Sequence, residues 1–305
     1  MTARAVGARV PPTGSQFLLE AGDARAVVTE VGATLRSWRV DEEELLDTFP
    51  VDELGGDYRG KVLAPWPNRI RDGRYAFGGV EHRLAISEPE RGTALHGLAL
   101  WASWSPLRHS SDEVALGLVL HPQPGYPFTL ELEVSYRLTA DGLEGALHAA
   151  NLGADPAPFG AGFHPAIALA GEGARLELPA RTRVPVDERL LPTGAALAVA
   201  GSDDDFRRPR PLSGRALDTC FGDLERGPDG TARARLETGA GGREVTLWMD
   251  ERFRFIHVYT TDTGVALEPM TCAPDAFNSG DGLQVLVPGA SFSGRWGLNT
   301  HREVQ

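Results

Sequence analysis

A chain of 305 residues with 42% apolar content suits one large β domain or two smaller ones around a sizeable core. Its formal net charge of −12 argues against nucleic-acid binding, which needs a basic surface. Of its 30 basic residues only Lys61 is a lysine, so Schiff-base chemistry would rest on Lys61 alone.

Arg4 and Arg9 open the chain without an apolar segment, so no secretory signal is expected. No apolar run approaches the ~20 residues of a membrane span. Residues 1–14 are expected to form a flexible lead into a single domain that fills 1–305. Cys220 and Cys272 lack C-x-x-C spacing, which suggests free thiols and a cytoplasmic setting.

Gly55-Gly56-Asp57-Tyr58-Arg59-Gly60-Lys61-Val62 nearly fits a phosphate-binding loop. Val62 cannot ligate magnesium, however, and Pro65 and Pro67 forbid the helix that should follow, so that reading is rejected. Pro65-Trp66-Pro67 leads into Asn68 and Arg69. An arginine on a rigid, Trp-lined segment suits recognition of polar oxygens, or simply a surface ion pair. Tyr75–Phe77 and Val80–Leu84 flank Gly78-Gly79, a two-residue hairpin signal. His96, in Leu95-His96-Gly97 just before Trp101 and Trp104, fits either a sugar site or a satisfied core position.

Strict alternation follows at Val114–Leu120, at Leu130–Leu138 and, after an Asp141-Gly142 turn, at Leu143–Ala149. Gly160-Ala161-Gly162-Phe163-His164-Pro165 places an imidazole directly before a proline, which pushes its backbone into an extended conformation. Gly201–Pro211 reads as a surface loop. Asp218 could cap a turn or accept a sugar hydroxyl. Glu244–Met249 and Phe253–Thr260 form another hairpin. Val265-Ala266-Leu267 delivers Glu268 to the end of a strand, where Pro269 stops it. Leu286–Pro288 and Phe292–Leu298 read as closing strands. Many short strands and no capped helical segment indicate an all-β sandwich or barrel.

The eight histidines show no metal-ligand spacing, so no metal is expected. There is no G-x-G-x-x-G after a strand and no G-x-S-x-G elbow. What stands out is a carboxylate and an imidazole, each fixed by a following proline.

Taken in order, the motifs resemble the aldose 1-epimerase (mutarotase) family from about residue 15 to 300. Asn68-Arg69-Ile70 with Asp72-Gly73-Arg74-Tyr75 looks like its "NRI…GRY" signature, and Leu95-His96-Gly97 like its "LHG". Phe163-His164-Pro165 is similar to its second-histidine segment and Leu217-Asp218 to its substrate aspartate. Glu268-Pro269 with Pro274-Asp275-Ala276-Phe277-Asn278 resembles its "EPxxxxPDAFN". Gly97-Leu98 in place of Gly-Gly, and the prolines at 65, 67 and 165, mark a divergent branch.

The resemblance implies a large antiparallel two-sheet β-sandwich with a sugar in a concave cleft. It implies Glu268 as base and His164 as acid, on opposite sides of the sugar, with His96 able to share the acid role. Arg69, His96, Asp218 and Asn68 would bind substrate, and the Pro274–Asn278 turn would support the Glu268 loop. No metal or organic cofactor is implied, and neither nucleic acid nor membrane is an expected partner; the protein would be a monomer or homodimer. Other readings on the same fold are a non-catalytic sugar-binding protein and an epimerase for a phosphorylated or sulfonated hexose. A glycoside hydrolase usually needs two carboxylates.

Overall fold

The clearest alternation in the sequence becomes the heart of the largest sheet. In Leu130–Thr139 every even-numbered residue from Leu130 to Leu138 is buried, as period-two patterning on one buried face requires. The computed structural model describes residues 10–212 and 214–301.

Leu130–Thr139 pairs with Glu113–Leu120 on one side and with Gly142–Asn151 on the other. The long strand Ser291–His301 joins next, then Glu244–Met249 and Ala232–Glu237, giving a sheet of nine strands in all. A second, eight-stranded sheet is centred on Asp218–Leu224, Phe255–Thr260 and Gly264–Met270. A four-stranded sheet from Gln16–Ala21 to Glu43–Glu44 carries the first strands. Every pairing among these strands is antiparallel.

The two large sheets pack face to face. Phe163, on the second sheet, lies 4.9 Å from the ring of Trp296 and 6.3 Å from that of Tyr136, both on the first. One contiguous cluster of buried apolar side chains reaches from Phe17 to Leu298. At ~25 cal/mol per Å² of apolar surface, this cluster is the main source of stability.

Five local expectations change. The hairpin expected of Glu244–Met249 and Phe253–Thr260 does not form. Glu244–Met249 lies in the nine-stranded sheet between Ala232–Glu237 and Ser291–His301, Phe255–Thr260 lies in the eight-stranded sheet between Asp218–Leu224 and Gly264–Met270, and the segment joining them crosses between the sheets. Thr13 is fully buried and its carbonyl accepts the Val31 N–H, so packed structure begins inside the expected lead; residues 1–9 of that lead lie outside the described residues. The strand expected at Leu286–Pro288 lies instead at Gln284–Leu286. The strand carrying Glu268 does not stop there but runs through Pro269 to Met270. The N–H groups of Leu267 and Thr271 bond to Pro165 and Ala161. Proline's missing N–H therefore faces the stretch where that neighbouring strand is itself interrupted, between Gly162–Phe163 and Ala166–Ala168.

The Pro274–Asn278 turn also differs. It opens the one α-helix among the described residues, Ala276–Ser279. Asp275 sits at φ 59° and donates its N–H to the Arg69 carbonyl. Its carboxylate accepts from the Arg71 N–H and from Nδ2 of Asn278. The turn thus anchors the Asn68–Arg71 segment rather than Glu268.

Candidate active site

The interruption in the second sheet builds the site. Gly162 pairs with Met270 and Ala166 with Ala266. The three residues between them on each strand face one another, so His164 lies opposite Glu268. On the other flank Glu268 pairs with His257. Cross-strand partners project to the same face of a sheet. A carboxylate is therefore held between two imidazoles in one row across three strands.

Nε2 of His164 lies 3.4 Å from Oε1 of Glu268, and both side chains are almost wholly buried. Nδ1 of His164 and Oε2 of Glu268 are buried without a hydrogen-bond partner. Native structures rarely leave such groups unpaired, so these two atoms stand out as hydrogen-bonding positions for a ligand at the cavity the two residues line. The expectation that acid and base sit apart, across a sugar, is corrected: they touch.

His96 reaches the same cavity from Thr93–Leu95, which pairs with Arg69–Arg71. Its ring stands edge-on to His164, with centroids 5.5 Å apart. His96 and Gly97 are both left-handed, at φ 63° and 82°. A Cβ on Gly97 would lie 2.1 Å from the Ala64 carbonyl oxygen, which explains the glycine. The Asn68 N–H donates to Nδ1 of His96 at 3.1 Å. That leaves the ring hydrogen on Nε2. Burial first, then His164, Arg69 and His257, hold His96 well below the usual imidazole range, so it is a neutral donor.

His96, His164 and Glu268 offer ligand atoms all within 4.8 Å of one another, a set that could suit a metal ion. Ligation through Nε2 of His96 would move its hydrogen to Nδ1, against the Asn68 N–H. The tautomer therefore fits hydrogen-bond donation better than metal ligation.

Arg69 is buried, and Glu88 engages it at 2.8 Å and 2.9 Å in the bidentate geometry guanidinium favours. Its Nη1 lies 3.8 Å from Asp218. Its charge is thus largely committed. Nε2 of His257 meets Asp218 at 2.8 Å. Burial opposes a charge on His257, but Glu268 and Asp218 outweigh it and raise its pKa. Burial likewise opposes the Asp218 carboxylate, but His257 and Arg69 keep its pKa below the usual range. Asn68 spends Oδ1 on the Arg69 N–H and points Nδ2 at Nδ1 of His257, 3.5 Å away.

Asn68, Arg69, His96, His164, Asp218 and Glu268 all line one cavity of about 230 Å³. That is small beside the ~300–1,000 Å³ of drug-sized sites and suits a small polar ligand. The sequence reading missed Tyr58, Glu88, Arg91, His257 and Tyr259, which line it too. Glu88 had a signal: Glu88-Pro89 repeats the carboxylate-before-proline arrangement of Glu268-Pro269. His257 had none, since Phe255-Ile256-His257-Val258 is buried at four consecutive positions and shows no alternation that would set His257 apart. Lys61 is not at the cavity. It is fully buried, with Nζ 4.2 Å from the Trp101 ring centre. Cys220 and Cys272 are free and buried, and no helix among the described residues is long and apolar enough to cross a membrane.

Comparison with known proteins follows the same lines. The sequence model of a family described as aldose 1-epimerase matches residues 15–298. The uncharacterized protein YihR of Escherichia coli K12 is 32% identical over 285 residues, covering 91% of this chain and 90% of its own. Human galactose mutarotase is 27% identical over 288 residues, covering 86% of this chain and 80% of its own. The crystal structure of a GalM/aldose epimerase homologue from C. elegans superposes with a TM-score of 0.85 at 21% identity. That superposition covers 94% of this chain and 99% of the other and shows the shared fold.

Proposed function

The chain belongs to the aldose 1-epimerase family, and on that footing we propose that it interconverts the α and β anomers of a neutral aldose by acid–base ring opening and closure. The observation that carries this reading is the buried contact of Glu268 with His164 at 3.4 Å. The two oxygens on an anomeric carbon are close neighbours. A carboxyl and an imidazole side by side can each address one of them.

Glu268 takes the proton of the C1 hydroxyl. The C1–O1 double bond forms as the C1–O5 bond breaks, and O5 receives a proton from His164. Rotation about C1–C2 presents the other carbonyl face. O5 then attacks C1, His164 recovers the O5 proton and Glu268 returns its proton to O1. Each proton transfer of this kind contributes about 10²–10⁴-fold. His96 donates its Nε2 hydrogen to a sugar oxygen, and Asp218 accepts from a hydroxyl. Arg69 and Asn68 hold the remaining polar atoms in place.

The charges lining the cavity favour a neutral sugar. Asp57, Glu88, Glu90, Asp218 and Glu268 face Arg69 and Arg91, and both guanidinium groups already contact Glu88. A phosphate or sulfonate would meet excess negative charge. A non-catalytic binder would have no use for a buried acid–base pair.

The decisive experiment follows the anomerisation of freshly dissolved aldoses by NMR, with wild type and Glu268→Gln. Acceleration over buffer by the wild type and its loss in the variant are expected. A wild type that speeds no aldose overturns the reading.

A further inference from the structure

The rejected phosphate-loop segment, 55–62, contributes Asp57 and Tyr58 to the cavity wall, and the backbone at both is strained. Asp57 and Tyr58 are consecutive left-handed residues, at φ 52° and 55°. A bulky aromatic residue rarely adopts that conformation, and where it persists the surroundings must enforce it. Here they do. The Gly60 N–H donates to the His164 carbonyl at 2.7 Å, and the Lys61 N–H donates to the Tyr58 carbonyl at 3.1 Å. Arg59 adds an ion pair to Asp47 at 3.1 Å. A Cβ on Gly60 would lie 2.0 Å from the Leu35 carbonyl oxygen, so the loop is pressed against the first strands.

The strain aims a ring into the site. Tyr58 lines the cavity. It packs edge-on to His96 with centroids 5.0 Å apart, and lies 6.4 Å from the His164 ring. Trp101 stands behind it at 6.4 Å, over the buried Lys61 ammonium. The Tyr58 hydroxyl takes no hydrogen bond among the described residues. A ring with only a packing role would gain nothing from a strained backbone that keeps it half-exposed at a polar cavity.

We propose that Tyr58 is a substrate-binding, specificity-determining residue whose ring takes the apolar C–H face of a neutral pyranose beside the reacting pair. A pyranose has such a face between its hydroxyl edges, and no other aromatic side chain at the cavity packs against both His96 and His164. The assignment rests on the anomer-interconverting reading above and names the surface that reading lacks.

The test separates binding from turnover. A 1,5-anhydroalditol keeps the ring and its faces but has no anomeric hydroxyl, so it binds without reacting. Its affinity is measured by NMR titration for wild type, Tyr58→Phe, Tyr58→Ala and Tyr58→Gly, beside anomerisation kinetics and melting curves. Tyr58→Phe should stay within about twofold of wild type, while Tyr58→Ala and Tyr58→Gly weaken the anhydro sugar about tenfold. KM should rise more than kcat falls. Tyr58→Gly should melt no lower than Tyr58→Ala, since glycine is at ease in the left-handed region. The proposal is overturned if Tyr58→Ala binds as wild type does. It is also overturned if Tyr58→Ala loses kcat tenfold at unchanged KM, which would mean the ring only orients the histidines. A wild type that binds the anhydro sugar without accelerating any aldose sinks the catalytic reading alone. One that binds no neutral pyranose sinks both.

Discussion

The Asn68 N–H donates to Nδ1 of His96 at 3.1 Å, and that bond decides what His96 can do. A ring nitrogen that accepts cannot carry the hydrogen, so Nε2 must. The first prediction is that nitrogen-15 NMR finds His96 neutral with its hydrogen on Nε2 throughout the neutral pH range. Burial, with His164 next, pushes its pKa down, so the neutral form persists to lower pH than for a free imidazole. Activity should be unchanged by exhaustive chelation. A resting Nδ1–H tautomer, or loss of activity with chelator, would contradict the wiring.

The contact between Glu268 and His164 makes a second prediction. Glu268→Gln and His164→Asn should each lower kcat by about 10²–10⁴-fold with KM changed far less. The double variant should be little worse than the worse single one, because the two groups act as a unit. Additive losses in a double-mutant cycle would show two independent roles.

Asp275 lies outside the cavity lining yet ties the Asn68–Arg71 segment down through its N–H and its carboxylate. Asp275→Ala removes two acceptor contacts and places alanine in a left-handed position. We expect about 2 kcal/mol lost in urea unfolding and roughly tenfold in kcat/KM as Asn68 and Arg69 loosen. Asp275→Asn keeps an acceptor and tolerates the conformation, so it should lose less on both measures. An alanine variant as stable as wild type would rule this out.

Lys61 predicts a stability–pH curve. Burial lowers its pKa to about 8 from the usual lysine value of 10.5. Between those values the unfolded chain holds a proton that the folded chain does not, so Lys61 destabilises fully below about pH 8 and this cost fades as pH rises toward 10.5. Lys61→Met should therefore stabilise the protein at pH 7 by up to about 3 kcal/mol. The gain should shrink as pH rises. Calorimetry at pH 7, 9 and 10 checks it, and a constant difference would mean the ammonium is not the cause.

Much of the fold was legible because strand alternation is local. The burial of Leu130, Leu132, Val134, Tyr136 and Leu138 follows from their spacing alone. The glycine after His96 and the prolines after His164 and Glu268 were readable for the same reason: each constrains only its own stretch of backbone. The six candidate residues named from motifs share one cavity. Glu88 was equally marked by its proline and could have been found.

What only the tertiary structure decided is which groups meet and what each is left free to do. Glu268 between His164 and His257 depends on register: His257 faces Glu268 across one tight hairpin, but His164 is brought opposite Glu268 from a strand far away in the chain. Period-two patterning fixes which face a residue takes but not its opposite number on a distant strand. Arg69 reads in sequence as a free cation, and only packing commits it to Glu88. Asp275 reads as support for Glu268, and only packing gives it to Arg71 instead. Tyr58 sits in a segment whose spacing suggested phosphate. Its left-handed backbone and its place against His96 come from contacts that no local pattern records.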